Sequence, residues 1–327
     1  MKRNDPAGRT TAVGVGLAAL SEGDIDAVHL ATLEVLERTG AYVEDGQALA
    51  LFADAGCTID RERSVVKIPA HVVGEALASC PPVFWLCGRE ESRDVLLGGS
   101  RVGFITFCEG ILMNDLETGE NRPSRKSDVA DICRLVDALP EIDAVASPVG
   151  ARDVGEKAPS AHGLEAMLAS TTKHVHIPLM SRHEAEAAVE MAALVAGGPD
   201  AFRERPLVSG GCATVSPLRL TRQFTEVATV LARAGMPMLV ISGVIAGATA
   251  PVTLAGSLVS HNAEMLASLV FVQLVERGSK VVYGSFSAAM DMRYGVDCVG
   301  TPEMSLLSAC LPQLCRRYGI PTWMAGL

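Results

Sequence analysis

The feature that most constrains the fold is a regular alternation of short apolar segments and helical segments after Gly98-Gly99. Each apolar segment has the length of a strand, and most of the segments between them carry apolar residues at helical spacing. This alternation predicts a parallel sheet covered by helices, because consecutive parallel strands need a crossover connection. The seven predicted strands are Phe104–Cys108, Ala144–Pro148, His174–Met180, Pro206–Gly210, Pro237–Gly243, Lys280–Gly284 and Pro321–Ala325.

Polar residues and prolines mark where three of the helices begin. Ser127 is predicted as an N-cap, and Ser216-Pro217 and Thr301-Pro302 each place a hydroxyl and a proline before an apolar helical pattern. Seven strands with six intervening helices fit either an open doubly wound sheet or an eightfold βα barrel that lacks its last unit.

The first hundred residues follow a different pattern. Helices are predicted over Asp24–Arg38 and Gly46–Ala55, and short strands over Val65–Pro69 and Val83–Cys87. We therefore expect a small α+β region over residues 21–100, packed against a barrel region over 101–327. Residues 1–20 are predicted to be a disordered leader.

Charge and cysteine content exclude several classes of protein. The chain has 28 Lys and Arg against 38 Asp and Glu, a formal charge of −10, which argues against a broad nucleic-acid-binding surface. Nine cysteines without a CxxC pair indicate reduced thiols in a cytoplasmic protein. Residues 234–262 carry no formal charge, yet their prolines, glycines and hydroxyls favour a buried strand, loop and helix start over a membrane span.

No glycine-rich nucleotide-binding motif and no GxSxG elbow is present. His174 and His176 lie on one face of a predicted strand, and such a pair suits a metal-dependent barrel hydrolase. The pair has no obvious carboxylate or thiol partner in the sequence. We therefore predict no metal site and keep the hydrolase as an alternative.

Carboxylates after the predicted strands are the candidate catalytic residues, because barrel enzymes place their chemistry at the carboxyl ends of the strands. The candidates are Glu109, Asp291 and Glu303. Each also has a purely structural explanation: Glu109 as a helix cap, Asp291 as a solvated loop charge, and Glu303 as part of the helix start at Thr301-Pro302.

Aromatic residues make up only 4% of the chain, yet several lie at or beyond the last two predicted strands. A cage of such rings would bind an alkylated ammonium, since ring faces attract cations. Ordinary core packing explains the same pattern equally well. The candidate cage residues are Phe107, Tyr283, Phe286, Tyr294 and Trp323.

Several segments carry a family resemblance that covers residues 20 to 327. The sequence resembles the trimethylamine:corrinoid methyltransferase family. The matching segments are Ala31–Gly40, Ile68-Pro69, Gly88-Arg89 after Pro81-Pro82, Thr118–Pro123, Gly247–Gly256, Asn262–Glu264 and Pro302-Glu303.

This resemblance implies a TIM barrel, incomplete at its C-terminus, that moves a methyl group from trimethylamine to the Co(I) corrinoid (cobalamin) of a separate corrinoid protein. It implies no cofactor bound by the chain itself, a cytoplasmic location, and a homo-oligomer at full length. The methyl group would enter methanogenesis or a bacterial methylamine pathway. No established catalytic residue is transferred from the family.

The last residues, Gly319–Leu327, resemble a pyrrolysine enzyme that is cut at its recoded amber codon, since trimethylamine-specific members carry pyrrolysine just after the corresponding strand. An amber codon after Leu327, followed by an open frame, would confirm that expectation. Two alternatives stay open: a methyltransferase of a quaternary amine such as glycine betaine, and an inactive truncated fragment.

Overall fold

The structure is a computed structural model that describes residues 18–99, 101–155 and 158–325. The predicted leader therefore lies outside the described residues over 1–17. The helices are α1 Glu22–Glu34, α2 Gly46–Asp54, α3 Ala70–Ser79, α4 Lys126–Ala138, α5 Pro159–Ser170, α6 Arg182–Ala196, α7 Pro199–Glu204, α8 Arg222–Ala234, α9 Leu254–Val275 and α10 Pro302–Tyr318.

Most strands are three to six residues long. A π-helical turn over Val35–Thr39 follows α1, and a 3-10 turn covers Glu91–Arg93. The strands are β1 Ala41–Val43, β2 Thr58–Asp60, β3 Val65–Lys67, β4 Val83–Leu86, β5 Val95–Gly98, β6 Leu112–Asn114, β7 Asn121–Pro123, β8 Ala144–Ala146, β9 His174–Pro178, β10 Val208–Ala213, β11 Arg219–Leu220, β12 Met238–Ser242, β13 Ile245–Ala246, β14 Val281–Ser285, β15 Ala288–Asp291, β16 Val296–Cys298 and β17 Thr322–Met324.

The chain divides into two compact units. Among the described residues, the first unit holds 83–211 and 234–237, and the second holds 18–82, 212–233 and 238–325. The predicted boundaries at residues 20 and 100 stay predictions.

The first unit is built on parallel strands joined by helices. β8 pairs with β9 and β9 with β10, with Ala144 opposite His174 and Val208 opposite Val175. Helices α4 and α5 pack against each other beside these strands. Two antiparallel hairpins, β4–β5 and β6–β7, complete the unit.

The predicted strand over Phe104–Cys108 is wrong as a regular element, since only one bridge, Ile105 to Ala144, joins it to β8. Side chains replace the ladder: the Thr106 hydroxyl donates to the Ala146 carbonyl at 3.1 Å, and the Ala146 N–H donates back to that hydroxyl at 3.0 Å. The Phe104 N–H donates to the Asp143 carboxylate at 2.7 Å. These bonds satisfy the backbone without strand pairing.

The second unit repeats the parallel arrangement. β12 pairs with β14 and β14 with β17, with Val240 opposite Tyr283 and Gly284 opposite Trp323. An N-terminal sheet of β1, β2 and β3 is antiparallel and accompanies α1 to α3, which confirms the predicted α+β region. β11 adds to this sheet in parallel beside β1.

Helix α9 is the central helix of the second unit. It packs against α1, α2, α3 and β12, and it buries an unbroken run of residues from His261 to Gln273. By length and composition this helix could cross a membrane, but 78% of its most apolar window is buried within the protein. The apolar composition of α9 is therefore that of a helix buried on all sides in a protein core.

Two helix starts differ from the prediction. α4 begins at Lys126 rather than after Ser127, because the Asp128 carboxylate reaches back to accept the Arg125 N–H at 2.7 Å. α8 begins at Arg222, where the Thr221 hydroxyl accepts the Phe224 N–H at 3.2 Å. In both places the helix start is fixed by a side-chain oxygen that accepts a backbone N–H three residues away. The start of α10 at Pro302, after Thr301, is confirmed.

Lys173 is a buried cation that closes the end of α4. Its ammonium donates to the carbonyls of Val136, Leu139 and Ile142, each at 2.6 Å. These groups belong to the last turn of α4 and the segment after it, where a cation complements the helix dipole. Desolvation, with Arg93 nearby, lowers the pKa of Lys173, while Asp137 and Asp143 oppose that shift.

We expect Lys173→Met to lower the free energy of unfolding by about 2 kcal/mol, since the carbonyls lose their charged donor inside the protein. Urea unfolding at neutral pH measures this loss. The control is Lys67→Met, at an exposed position in β3. Equal midpoints for the two variants would contradict the assigned role of Lys173.

Candidate functional site

A cavity of about 460 Å³ in the first unit lies at the carboxyl ends of β8 and β9. It is open to solvent and combines charged groups with small polar ones. In a parallel βα fold, ligands bind at this end of the strands. Its lining includes Glu109, Gly110, Ser147, Arg152, Ser160 and Ile177.

Glu109 is held in a backbone conformation that side chains rarely adopt, with φ +60°. Its N–H donates to the Ser147 carbonyl at 2.7 Å, and the Gly110 N–H donates to the Pro148 carbonyl at 2.9 Å. A glutamate in the left-handed region costs free energy, and such outliers concentrate at functional sites. The two hydrogen bonds to the segment after β8 hold the strained residue in place.

Gly110 permits this close approach. A Cβ atom there would lie 3.1 Å from Val149 Cγ1 and 3.3 Å from the Pro148 carbonyl oxygen. Any other residue would require Val149 or the Pro148 carbonyl to give way by a few tenths of an ångström. The Glu109-Gly110 pair thus fixes the backbone of a glutamate that lines the cavity.

The electrostatics of the cavity favour a cation beside Glu109. Desolvation raises the pKa of Glu109, the carboxylate of Glu184 raises it further, and Arg152 opposes the shift. Among the described residues, no hydrogen bond or ion pair satisfies the Glu109 carboxylate. A positive ligand would offset both effects by Coulomb attraction to the carboxylate.

Arg152 was not among the sequence-predicted site residues. It follows the predicted strand Ala144–Pro148 by four residues, and that position was the available signal. Arg152 is exposed, and it gives the cavity one cationic group opposite in sign to Glu109.

His174 and His176, the predicted pair on β9, are fully buried and linked through one hydroxyl. His174 Nδ1 lies 3.0 Å from the Cys87 carbonyl oxygen, which can only accept, so this nitrogen carries the proton. Ser209 Oγ lies 2.9 Å from His174 Nε2 and 3.0 Å from His176 Nδ1. The Ser209 hydroxyl therefore donates to His174 and accepts from His176.

Desolvation lowers the pKa of His174 to about 4 and that of His176 to about 3. Both rings are therefore neutral at neutral pH. In the described part of the chain no cluster of three His, Cys, Asp or Glu side chains is arranged to hold a metal ion. The two rings form a buried hydrogen-bond chain with Ser209.

A second buried polar cluster, in the second unit, surrounds Glu264 of α9. Its carboxylate accepts from the hydroxyls of Thr214, Ser216 and Ser242 at 3.1, 2.8 and 2.7 Å, and from the Leu218 N–H at 3.0 Å. The carboxylate thus joins α9 to the segment after β10 and to the end of β12. Sequence analysis placed Glu264 only in a family motif, since nothing local marks a helical glutamate as fully buried.

The other candidate residues lie in the second unit, apart from Phe107, which is exposed in the first. Asp291 and Tyr294 are brought together, because Asp291 Oδ1 accepts the N–H groups of Arg293 and Tyr294 at 2.8 and 3.1 Å. The Arg293 guanidinium lies 5.4 Å from the centre of the Tyr294 ring. A cation of the chain itself thus occupies this ring face.

Tyr283 is fully buried in the same unit. Its hydroxyl donates to Asn262 Oδ1 at 3.1 Å, and its ring centre lies 5.3 Å from that of His261. Trp323, on the neighbouring strand β17, is partly exposed.

Phe286 is 41% exposed just after β14. Glu303 is exposed in the first turn of α10. The catalytic and cage roles of all these residues stay predictions.

Comparison with known proteins places the chain among methyltransferases. The family model described as trimethylamine methyltransferase (MTTB) matches residues 9–327. A trimethylamine methyltransferase of Desulfitobacterium hafniense (strain DSM 10664 / DCB-2) is 41% identical over 320 residues, which are 98% of this chain and 64% of that protein. A glycine betaine methyltransferase of Desulfitobacterium hafniense (strain Y51) is 29% identical over 311 residues, 94% of this chain and 64% of that protein.

The fold also has a solved counterpart. The match to the crystal structure of the Methanosarcina barkeri monomethylamine methyltransferase covers 95% of this chain and 69% of that protein's chain. Its TM-score is 0.56, and the two sequences are 12% identical over the match. This similarity concerns the fold alone, and it confirms the predicted α/β fold of an incomplete TIM barrel. The chain spans about two thirds of the length of the two relatives above. By its sequence from residue 9 to residue 327, the chain belongs to the trimethylamine methyltransferase family.

Proposed function

We propose that this chain transfers a methyl group from trimethylamine to the Co(I) corrinoid of a separate corrinoid protein. The observation that carries the proposal is the 41% identity to a trimethylamine methyltransferase along nearly the whole chain. The cavity at Glu109 supports it, because a site of about 460 Å³ accommodates an amine of four heavy atoms beside a carboxylate. The proposal includes a cytoplasmic, homo-oligomeric protein that binds no cofactor of its own.

The chemical difficulty of this reaction lies in the leaving group. An amide anion is far too basic to leave, so the nitrogen must be positively charged when the methyl group departs. The carboxylate of Glu109 favours the ammonium form in the cavity by Coulomb attraction. Walls at the carboxyl ends of β8 and β9 fix the position of the amine, which lowers the entropic part of the barrier.

The direct test supplies the purified chain with trimethylamine and a corrinoid protein reduced to Co(I). We expect dimethylamine and methylated corrinoid to form in equal amounts, followed by chromatography and by the absorbance of the corrinoid. Omission of either substrate is the control. Absence of dimethylamine with a competent acceptor would refute the activity for this chain.

One observation favours glycine betaine as a second candidate substrate. Arg152 lines the same cavity and would pair with a substrate carboxylate, which trimethylamine lacks. If betaine is the substrate, Arg152→Ala lowers the formation of N,N-dimethylglycine by about tenfold, in line with the loss of one charged hydrogen bond. The matched control is Arg134→Ala, at an exposed position on α4 that pairs with Asp131. Dimethylamine formation that is insensitive to Arg152→Ala would favour trimethylamine.

A further inference from the structure

Resting on the proposed function, we propose that Glu109 is the residue that selects a tertiary ammonium over a quaternary one, by accepting the N–H of protonated trimethylamine. Trimethylammonium and tetramethylammonium carry the same charge and have similar apolar surfaces. They differ in the single N–H donor. A carboxylate in the lining of the cavity can distinguish the two cations through this donor, whereas a cage of rings responds to charge and methyl groups alike.

The geometry around Glu109 supports this role. The left-handed backbone, the Ser147 hydrogen bond and the close approach at Gly110 orient the residue before any ligand binds. Hydrogen bonds fix the backbone of Glu109, which lines the cavity. Its carboxylate accepts no hydrogen bond from the described residues. Glu109 is exposed in this open cavity, so a ligand without the N–H leaves the carboxylate to water and loses one charge-assisted hydrogen bond.

The other charged groups nearby agree with a cationic ligand. Glu184 adds negative charge to the surroundings of Glu109 and raises the pKa of its carboxyl group. Arg152 is positive and lowers that pKa. Ser147 and Ser160 line the cavity without adding charge. The local excess of carboxylate therefore favours a monocation over a neutral amine.

Binding of the N–H also suits the transfer step. One C–N bond breaks, and its electron pair stays on nitrogen together with the proton, so the product is neutral dimethylamine. The methyl carbon forms its new bond with the two electrons that Co(I) supplies. Glu109 holds the proton on the nitrogen without taking it.

Calorimetric titration of the chain with trimethylammonium chloride and tetramethylammonium chloride, at neutral pH, tests the inference. We expect the wild type to bind trimethylammonium about tenfold more tightly, as one charge-assisted hydrogen bond implies. Glu109→Gln should reduce the ratio to below about twofold. Glu204→Gln, on the exposed face of α7, is the matched control and should keep the full ratio.

Glu109→Asp guards against a variant that fails to fold, because it keeps the carboxylate and should keep a preference for trimethylammonium at lower affinity. Equal binding of the two cations by the wild type, or a preference that survives in Glu109→Gln, would overturn the inference. The titration needs no corrinoid protein. Dimethylamine production without a cation preference would therefore reject the role of Glu109 alone, and a preference without turnover would reject the proposed reaction alone.

Discussion

We expect the free energy of unfolding to fall by about 4 kcal/mol per pH unit as the pH drops below 6, because three buried histidines are neutral in the folded protein and charged in the unfolded chain. His174, His176 and His261 are each at most 1% exposed. Desolvation lowers their pKa values from 6.5 to about 4, 3 and 3. Each unfolded chain therefore takes up three protons that the folded protein excludes.

The direction of the effect follows from the lowered pKa values. A histidine whose folded pKa is depressed binds its proton more weakly in the native state, so acid favours the unfolded state. The stability is fully present above the unfolded pKa of 6.5 and is lost as the pH falls from there towards the folded values of about 4 and 3. Most carboxylates remain ionised at pH 5 to 6, so the histidines dominate this window.

Desolvation is the reason that the rings resist protonation, and the hydrogen bonds around them supply no opposite charge to offset it. His174 already donates to the Cys87 carbonyl and accepts from Ser209, so a second proton would remove the acceptor that Ser209 uses. His261 Nε2 is buried with no hydrogen-bond partner among the described residues, and its Nδ1 lies 3.1 Å from Ser287 Oγ. A charge on either ring would have no counter-ion at hydrogen-bonding distance among these contacts.

Urea unfolding at intervals between pH 7.5 and 5 measures the slope. His261→Phe, which keeps a ring beside Tyr283, should reduce the slope by about one third, or 1.4 kcal/mol per pH unit. His71→Gln changes an exposed histidine on α3 and should leave the slope unchanged. A wild-type slope no steeper than that of one proton would show that these rings are not buried in their neutral form.

The second large effect is expected at Glu264, where Glu264→Ala should lower the free energy of unfolding by about 3 to 5 kcal/mol. The carboxylate is fully buried and accepts four hydrogen bonds. Alanine would leave the Leu218 N–H and three hydroxyls without their acceptor. Leu218 has φ +52°, so the same carboxylate also holds a strained turn in place.

The Glu264→Gln variant keeps the shape of the side chain and removes its negative charge, so it shows how much of the stability depends on the charge. Two of the hydroxyls of Thr214, Ser216 and Ser242 can rotate to accept the two N–H groups of the amide, and the third hydroxyl loses its acceptor. The Leu218 N–H still meets the amide oxygen. We therefore expect about half the loss of the alanine variant. Glu75→Ala, at an exposed position on α3, is the control. Urea unfolding measures all three, and a loss below about 1 kcal/mol for Glu264→Ala would contradict the network.

Local patterns in the sequence were sufficient for most of the βα order. Six of the seven predicted strands are present, because continuous apolar segments of this length, bounded by polar punctuation, can be buried only as central strands or helices. The α10 start at Pro302 was predictable for a similar reason, since its signal lies within three residues of the helix. The family, too, followed from short motifs spread along the chain.

Contacts between residues distant in sequence decided the rest. Phe104–Cys108 is apolar enough for a strand, yet the Asp143 carboxylate accepts the Phe104 N–H and the Thr106 hydroxyl bonds both backbone groups of Ala146 in place of a strand ladder. The sequence marks Glu109 only as a carboxylate after an apolar segment. Its left-handed backbone and its place in a cavity depend on hydrogen bonds to residues almost forty positions away.

The burial of Glu264 was likewise invisible in the sequence, because a glutamate in a helix is normally solvated and only the tertiary fold brings four donors to it. By itself the sequence determined the family and the order of strands and helices, since both are written in local pattern. The tertiary structure alone decided which polar groups are buried and which carboxylate faces a cavity, because burial and hydrogen-bond satisfaction depend on residues that meet only when the chain has folded.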